Sequence, residues 1–177
     1  MMALLRRILT WPKRRWRAGG FGIHSPFAFA FVTQVLAKRN IDGNEAELRA
    51  IAGRNYRQYA LLYRCVKYFK PQSVVIYPTD DATLTRVINL AEPESRIIAD
   101  GETAIPDMTI ITSDEGTERD NGAAVYFISR VDTEPRGSFK ARMASECERG
   151  MDFSDYRTWI MCRFKHLPRQ SFKIVLK

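Results

Sequence analysis

The chain has 177 residues, of which 45% are hydrophobic and 11% aromatic. A chain of this length and composition can bury the core of one compact domain. An intrinsically disordered protein, a collagen-like repeat and a disulfide-stapled miniprotein are therefore excluded. The net charge of +8, taken alone, favours nucleic acid, an acidic lipid surface or an acidic protein as a partner.

The charge is divided into three blocks along the chain. Residues 1–72 carry 14 basic and 3 acidic side chains, a net charge of +11. Residues 73–156 carry 8 basic and 17 acidic side chains, a net charge of −9, and residues 157–177 carry 6 basic and no acidic ones. This pattern permits self-association by opposite charges as well as pairing within the chain. An argument for a nucleic-acid or membrane partner therefore concerns the first residues of the chain.

Cysteines, histidines and apolar runs narrow the class of protein further. The three cysteines are an odd number without Cys-x-x-Cys spacing, which favours a reducing compartment over a disulfide framework or a zinc site. The two histidines are too far apart to predict a metal site. No apolar run is long enough to span a bilayer, and the first residues lack the apolar stretch of a signal peptide. We expect a cytoplasmic protein, and leave a peripheral association with a membrane open.

Residues 1–19 form a basic amphipathic segment. Apolar side chains recur at helical spacing over residues 2–11, and Pro12 is expected to end or kink that helix. The cations of the segment are Arg6, Arg7, Lys13, Arg14, Arg15 and Arg17. With Trp11 and Trp16 beside them, these cations could contact an anionic membrane or a nucleic-acid backbone. The alternative is a short helix that docks on the domain with its cations in solvent.

Residues 20–72 are predicted to be a helical lead-in to the domain. Ser25 is a suitable N-cap for a helix over residues 27–38. A longer helix is expected over residues 45–69, where Gly53 can divide it in two. Lys-Pro then ends this helix.

Residues 73–177 are predicted to form an α/β domain. The run VVIY is typical of a strand buried on both faces of a sheet. A helix over 81–90, strands over 96–99, 108–112 and 123–129, and a helix over 138–148 follow in that order. The segments 158–164 and 172–176 are joined by a short connection, which predicts a C-terminal antiparallel hairpin. We therefore expect a mostly parallel sheet that ends in this hairpin, with the N-terminal helices leading in.

Two stretches resemble a known family: residues 20–36 (GFGIHSPFAFAFVTQVL) and 56–77 (YRQYALLYRCVKYFKPQSVVIY). They resemble the opening of a group of bacterial, mainly Bacteroidetes, class I S-adenosylmethionine-dependent methyltransferase-like proteins. In that group a Gly-x-His-Ser-Pro-Phe segment precedes helices, and a Lys-Pro dipeptide leads into the first strand. The stretches TWIMCRF and SFKIVLK are similar to the terminal antiparallel strands of that fold. The resemblance implies a Rossmann-like sheet and a place for S-adenosylmethionine.

The expected cofactor loop departs from the family. The family has an acidic residue and a glycine-rich turn after its first strand, because a Cβ there would occupy the cofactor's space. Residues 77–83 (YPTDDAT) contain no glycine, and Asp80 and Asp81 would repel the cofactor's carboxylate while suiting a helix N-terminus. The resemblance implies cofactor contacts at Tyr77, at Asp80 and at Asp100, the last as the acid that receives the ribose hydroxyls. An acid after a strand is also ordinary turn chemistry.

The middle of the domain is also short for this family. Only 22 residues, 101–122, separate the second and fourth predicted strands, where a full methyltransferase domain has two helices. The sequence therefore favours a degenerate, catalytically inactive methyltransferase homologue that binds no cofactor and serves a binding or structural role. Two alternatives remain open. One is an active S-adenosylmethionine-dependent methyltransferase with an atypical cofactor loop. The other is a peripheral membrane or nucleic-acid-associated protein that acts through its basic N-terminus.

Overall fold

The structure is a computed structural model that describes residues 8–38, 41, 43–99, 105–118 and 120–176. The helices within these ranges are α1 (Trp11–Ala18), α2 (Pro26–Phe31), α3 (Glu45–Ala52), α4 (Tyr56–Phe69), α5 (Ala82–Ala91) and α6 (Arg136–Glu146). A π-helical segment (Val32–Leu36) continues α2, and a 3-10 turn (Gly53–Asn55) joins α3 to α4. The strands are β1 (Ser73–Tyr77), β2 (Arg96–Ile97), β3 (Met108–Ile111), β4 (Val125–Ser129), β5 (Met151–Ser154), β6 (Thr158–Cys162) and β7 (Gln170–Lys173).

The strands form one mixed sheet in the order β2-β1-β3-β4-β6-β5-β7. All neighbouring strands are parallel except at β6, which runs antiparallel to both β4 and β5. Strands β3 and β4 are buried along their whole length, as expected for strands with helices on both faces of the sheet. The predicted α/β class and the mostly parallel sheet are thus confirmed.

The predicted C-terminal hairpin is wrong. Strands β6 and β7 are not neighbours, because β5 lies between them and pairs with β6 antiparallel and with β7 parallel. The sequence analysis missed β5, whose four residues MDFS include the buried carboxylate of Asp152. A carboxylate is rare inside a strand that is buried throughout, so the local pattern did not indicate one. The antiparallel pairs that the described strands form are β5–β6 and β4–β6.

The two faces of the sheet carry separate hydrophobic cores. On one face, alternate strand residues such as Val74 and Phe127 pack against α2, α3, α4 and α5. On the other face, residues such as Val75 and Trp159 pack against Phe139 of α6. Because strand side chains alternate between faces, each buried strand contributes to both cores. The result is a three-layer arrangement with the larger helical layer on one side.

The helix boundaries of the lead-in follow local signals. Ser25 caps α2 as predicted, and its Oγ accepts a hydrogen bond from the Ala28 N–H at 3.3 Å. Gly53 divides the predicted long helix at a 3-10 turn, where its φ is +51°. Lys70 then ends α4 in the left-handed conformation, with its N–H bonded to the Val66 carbonyl at 2.8 Å. The predicted interruption at Gly53 and the end of the helix at Lys70 are confirmed.

The helix that was predicted to end or kink at Pro12 is interrupted two residues earlier, because Ile8 and Leu9 are helical, Thr10 is a turn and a separate helix follows. Pro12 lies in the first turn of α1, which continues from Trp11 to Ala18. Proline is tolerated there because the first turn does not use its backbone N–H groups in intrahelical bonds. The helix predicted over residues 2–11 falls mostly outside the described residues.

Candidate functional site at the carboxyl edge of the sheet

The strand order places a potential ligand site at the carboxyl ends of β1 and β3. In open α/β sheets, ligands bind where neighbouring strands send their connections in opposite directions. Strand β1 lies between β2 and β3, and its last residue, Tyr77, pairs with Ile111, the last residue of β3. The methyltransferase resemblance implies its cofactor at this edge. The side chains at these strand ends therefore decide what fits there.

Tyr77 fills the space at the end of β1. Its side chain is 7% exposed and belongs to the core that α6 covers. The Tyr77 ring lies directly against Gly116, whose φ is +76°, and a methyl group on Gly116 would overlap the ring. Glycine is needed here both for the left-handed backbone and for this close approach. The residue that was expected to contact a cofactor is therefore packed against protein.

Thr112 and Arg136 close the same edge through hydrogen bonds. The Tyr77 carbonyl accepts bonds from the Thr112 N–H at 2.9 Å and from the Thr112 hydroxyl at 3.1 Å. Arg136, only 4% exposed, donates to the Thr112 carbonyl at 2.7 Å and forms an ion pair with Asp114 at 3.2 Å. Burial lowers the pKa of the Arg136 guanidinium, and Asp114 opposes that shift. We call Tyr77, Thr112, Gly116 and Arg136 the carboxyl-edge site.

The loop of residues 112–118 is held over this site by α6. Arg142 donates to the carbonyls of Thr117 and Glu118 at 3.3 and 3.0 Å. The buried Thr117 hydroxyl in turn donates to the Asp114 carbonyl at 2.8 Å. Together with Arg136, these bonds fasten the loop at several points. The loop thus lies across the strand ends where a ligand would enter.

The two described acids that follow β1, Asp80 and Asp81, lie in the turn before α5 and at its N-terminus. Asp81 is the N-cap of α5 and accepts bonds from the N–H groups of Thr83 and Leu84 at 2.8 and 3.0 Å. Asp80 is exposed in the turn between β1 and α5. Asp100 lies outside the described residues. Of the three residues implied as cofactor contacts, only Tyr77 is placed in the carboxyl-edge site.

Strand β4 also ends without a carboxylate. Ser129, its last residue, is 2% exposed, and its hydroxyl has no hydrogen-bond partner among the described residues. Arg130 follows in the left-handed conformation with φ +54° and is exposed. This strand end therefore offers a buried hydroxyl and a solvent-facing cation. Neither group is a carboxylate that could act as a general base at neutral pH.

Two polar networks that the sequence analysis did not predict lie in the sheet away from this edge. In the first, Asp152 is 3% exposed and accepts bonds from Trp159 Nε1 at 3.0 Å, Arg169 at 2.7 Å and Ser171 at 2.9 Å. Because the carboxylate is buried, these donors are needed to compensate for its lost hydration. They connect β5, β6 and β7, so the network is structural.

The second network lies near the amino end of β4. The Tyr126 hydroxyl bonds to Asp120 and to Asn121, and Arg163 bonds to Asp120 at 2.6 Å. Burial and the bond to Asp120 both raise the pKa of Tyr126. Burial acts to raise the pKa of Asp120, but the bonds from Tyr126, Gly122 and Arg163 outweigh it and lower that pKa. The network fixes the entry of the chain into β4.

Arg14 does not lie on the predicted basic surface. It is 3% exposed and donates to the carbonyls of Asp155 and Ile174 at 3.2 and 3.4 Å. Its guanidinium also lies 5.2 Å from the centre of the Tyr156 ring. Arg14 therefore fastens α1 to the end of the sheet, because carbonyl oxygens and an aromatic face compensate for its burial.

The other predicted surface cations remain near solvent where they are described. Lys13 and Arg15 are exposed and Arg17 is half-buried, whereas Arg6 and Arg7 lie outside the described residues. Within the described ranges, no helix is long and apolar enough to cross a membrane. In the same ranges, no group of three or more His, Cys, Asp or Glu side chains could hold a metal ion.

Apart from Tyr77, the residues that close the carboxyl-edge site were not identified from the sequence. Gly116 stands in a turn after a buried strand, which is a signal for a special backbone conformation. Arg136 and Arg142 gave no such signal, because an arginine on a helix is most often in solvent.

Comparisons with protein-family models, with curated proteins and with solved structures find no match for this chain.

Proposed function

We propose that this protein is a methyltransferase-like protein that neither binds S-adenosylmethionine nor transfers methyl groups, and that it serves a binding or structural role. The observation that carries the proposal is the Tyr77 ring packed on Gly116 at the end of β1. A ligand could enter there only if Tyr77 and the loop of residues 112–118 moved apart.

The architecture supports the methyltransferase-like part of the proposal. A parallel core of β1, β3 and β4 is flanked by α5 on one face and α6 on the other. The antiparallel pair β5–β6 follows near the C-terminus and is similar to the terminal antiparallel strands of the class I methyltransferase fold. The resemblance noted in the sequence and the order of this sheet both support the proposal.

The closed site would weaken the binding of any cofactor that had to open it. Opening exposes the Tyr77 ring and breaks the bond from the buried Arg136 to the Thr112 carbonyl. Exposing a large side chain costs about 2 kcal/mol, and losing a hydrogen bond to a charged group costs about 1.5–3 kcal/mol. These costs add to about 3.5–5 kcal/mol, so the apparent affinity of a ligand that needs the opened form would be reduced by a factor of about 400 to 5,000.

Calorimetric titration with S-adenosylmethionine and with its demethylated product tests the proposal. We expect no binding tighter than about 100 μM, which corresponds to roughly −5.5 kcal/mol. Tighter binding would overturn the proposal. If that binding is then lost in Asp100→Ala, the alternative of an active enzyme with an atypical cofactor loop is supported instead. Thermal unfolding of each protein shows that the titrated sample is folded.

A further inference from the structure

Exposed apolar side chains are concentrated near the N-terminus. Of the eight large hydrophobic side chains exposed in the described part of the chain, six lie between Ile8 and Phe29. They are Ile8, Leu9, Trp11, Trp16, Phe21 and Phe29. Exposed apolar groups that are scattered singly need no explanation, but a cluster of this kind is typical of a binding surface.

Helix α1 docks on the domain through Arg14 and Ala18 and leaves both of its tryptophans partly exposed. Its buried residues are Arg14 and Ala18, whereas Trp11 and Trp16 are 48% and 55% exposed. A surface helix normally buries its apolar face against the core. Here the core contact is made by a cation that carbonyl oxygens hold, so both tryptophans remain available to a partner.

The turn of residues 19–22 brings aromatic side chains together. The rings of Trp16 and Phe21 are stacked with their centres 5.5 Å apart. Gly20 has φ +86°, and a methyl group there would overlap the Phe29 ring. Three of the six side chains thus surround one turn. We call the six apolar side chains, together with Lys13, Arg15 and Arg17, the N-terminal surface.

The charge of this surface has one sign. Lys13 and Arg15 are exposed beside the tryptophans, and the Arg15 guanidinium lies 5.4 Å from the centre of the Trp11 ring. No acidic residue occurs in the sequence before Asp42. The N-terminal surface therefore combines aliphatic, aromatic and cationic groups without a neighbouring carboxylate from its own stretch of chain.

We propose that the N-terminal surface binds an anionic lipid bilayer. Tryptophan is favoured at the membrane–water interface, and cations at that level attract anionic headgroups. Ile8 and Leu9, at 61% and 76% exposure, are suited to the acyl boundary. Single-stranded nucleic acid would use the aromatic rings and the cations, but it would leave the two aliphatic side chains in water. This inference goes beyond the proposed function and does not depend on the carboxyl-edge site.

Vesicle flotation with the full chain tests the proposal. We expect the protein to float with phosphatidylcholine vesicles that contain phosphatidylglycerol, and to remain behind with phosphatidylcholine alone. Raising the salt concentration should weaken the binding. Tryptophan emission gives a second readout, because Trp159 is fully buried and a blue shift on binding therefore reports Trp11 and Trp16.

Paired variants separate the two contributions. Lys13→Ala with Arg15→Ala should lower the partition coefficient for anionic vesicles by about 30-fold, since each cation near the surface contributes about fivefold. Leu9→Ser with Trp16→Ser should lower it by about tenfold through lost apolar burial. Matched controls are Arg54→Ala with Arg57→Ala and, separately, Ile105→Ser, which remove exposed side chains of the same types elsewhere.

We expect both control variants to bind anionic vesicles as the wild type does. The proposal is overturned if the wild type does not float with anionic vesicles, or if the control variants lose as much binding as the surface variants. It is also overturned if single-stranded RNA binds the protein and the vesicles do not. All substituted side chains are exposed, and thermal unfolding confirms that each variant is folded.

Discussion

Gly116→Ala is the sharpest test of the closed carboxyl edge. The added methyl group meets the Tyr77 ring, and the backbone at position 116 is left-handed with φ +76°. The left-handed backbone costs a residue with a Cβ roughly 1–2 kcal/mol, and overpacking adds about 1–3 kcal/mol. We expect Gly116→Ala to lower the free energy of unfolding by about 2–5 kcal/mol, as measured by urea unfolding and linear extrapolation.

Gly43→Ala is the matched control for the backbone contribution. Gly43 has φ +79°, but nothing lies within 4 Å of a Cβ built there, so only the cost of about 1–2 kcal/mol for the left-handed backbone applies. In a Tyr77→Ala background the overlap is relieved, and Gly116→Ala should then cost no more than Gly43→Ala. The reasoning is refuted if Gly116→Ala and Gly43→Ala agree within about 0.5 kcal/mol in the wild-type background. An unchanged cost of Gly116→Ala without the Tyr77 ring would refute it as well.

Three further predictions follow from individual side chains. Asp81→Ala should lower the free energy of unfolding by about 1 kcal/mol, because it removes the N-cap of α5; Asp80→Ala, at an exposed position, should change it by less than about 0.5 kcal/mol. Burial raises the pKa of the Cys65 thiol to about 12, so in the native protein a thiol reagent should modify Cys147 and reach Cys65 only on unfolding, as read by peptide mass spectrometry. Although burial opposes it, hydrogen bonds hold the pKa of Asp120 below its ordinary value. The Asp120 carboxylate therefore contributes fully to stability above the pKa of about 3.9 that it has in the unfolded chain. This contribution is lost as the pH falls through the lower pKa that it has in the folded protein. Unfolding of the wild type and Asp120→Asn across this range should show a difference at neutral pH that shrinks in acid; a constant difference would contradict the assignment.

The features predicted from the sequence are those that depend on neighbouring residues. The cap at Ser25, the interruption at Gly53 and the cap at Asp81 each act within four positions of the chain. The buried run of β1 was visible because its side chains are apolar on both faces. Local hydrogen bonding and local hydrophobicity determine these elements, so they could be predicted from the sequence without knowledge of the fold.

The features that were missed depend on distant contacts. Strand β5 could not be recognised while the partners of Asp152 were unknown, since Trp159 and Arg169 are far along the chain. Gly116 and Tyr77 are 39 positions apart, and only the pairing of β1 with β3 brings their loops together. The sequence shows that the turn after β1 contains no glycine, but it does not show that the Tyr77 ring fills the space at the end of this strand.

Two cations of the basic tail pair with acids of the acidic block within the fold. Arg163 of the basic tail bonds to Asp120 at 2.6 Å, and Arg169 bonds to Asp152 at 2.7 Å. Both acids belong to the acidic block, so these tail cations are compensated inside one chain without a second copy.

The N-terminal block differs from the tail. Arg14 is held by carbonyl oxygens and an aromatic ring rather than by a carboxylate, so burying it does not consume an acid. Lys13 and Arg15 stay exposed beside two tryptophans. The N-terminal surface thus keeps positive charge in solvent next to apolar groups. A partner that this charge attracts should therefore be insensitive to charge changes in the tail, and sensitive to changes in two side chains of α1.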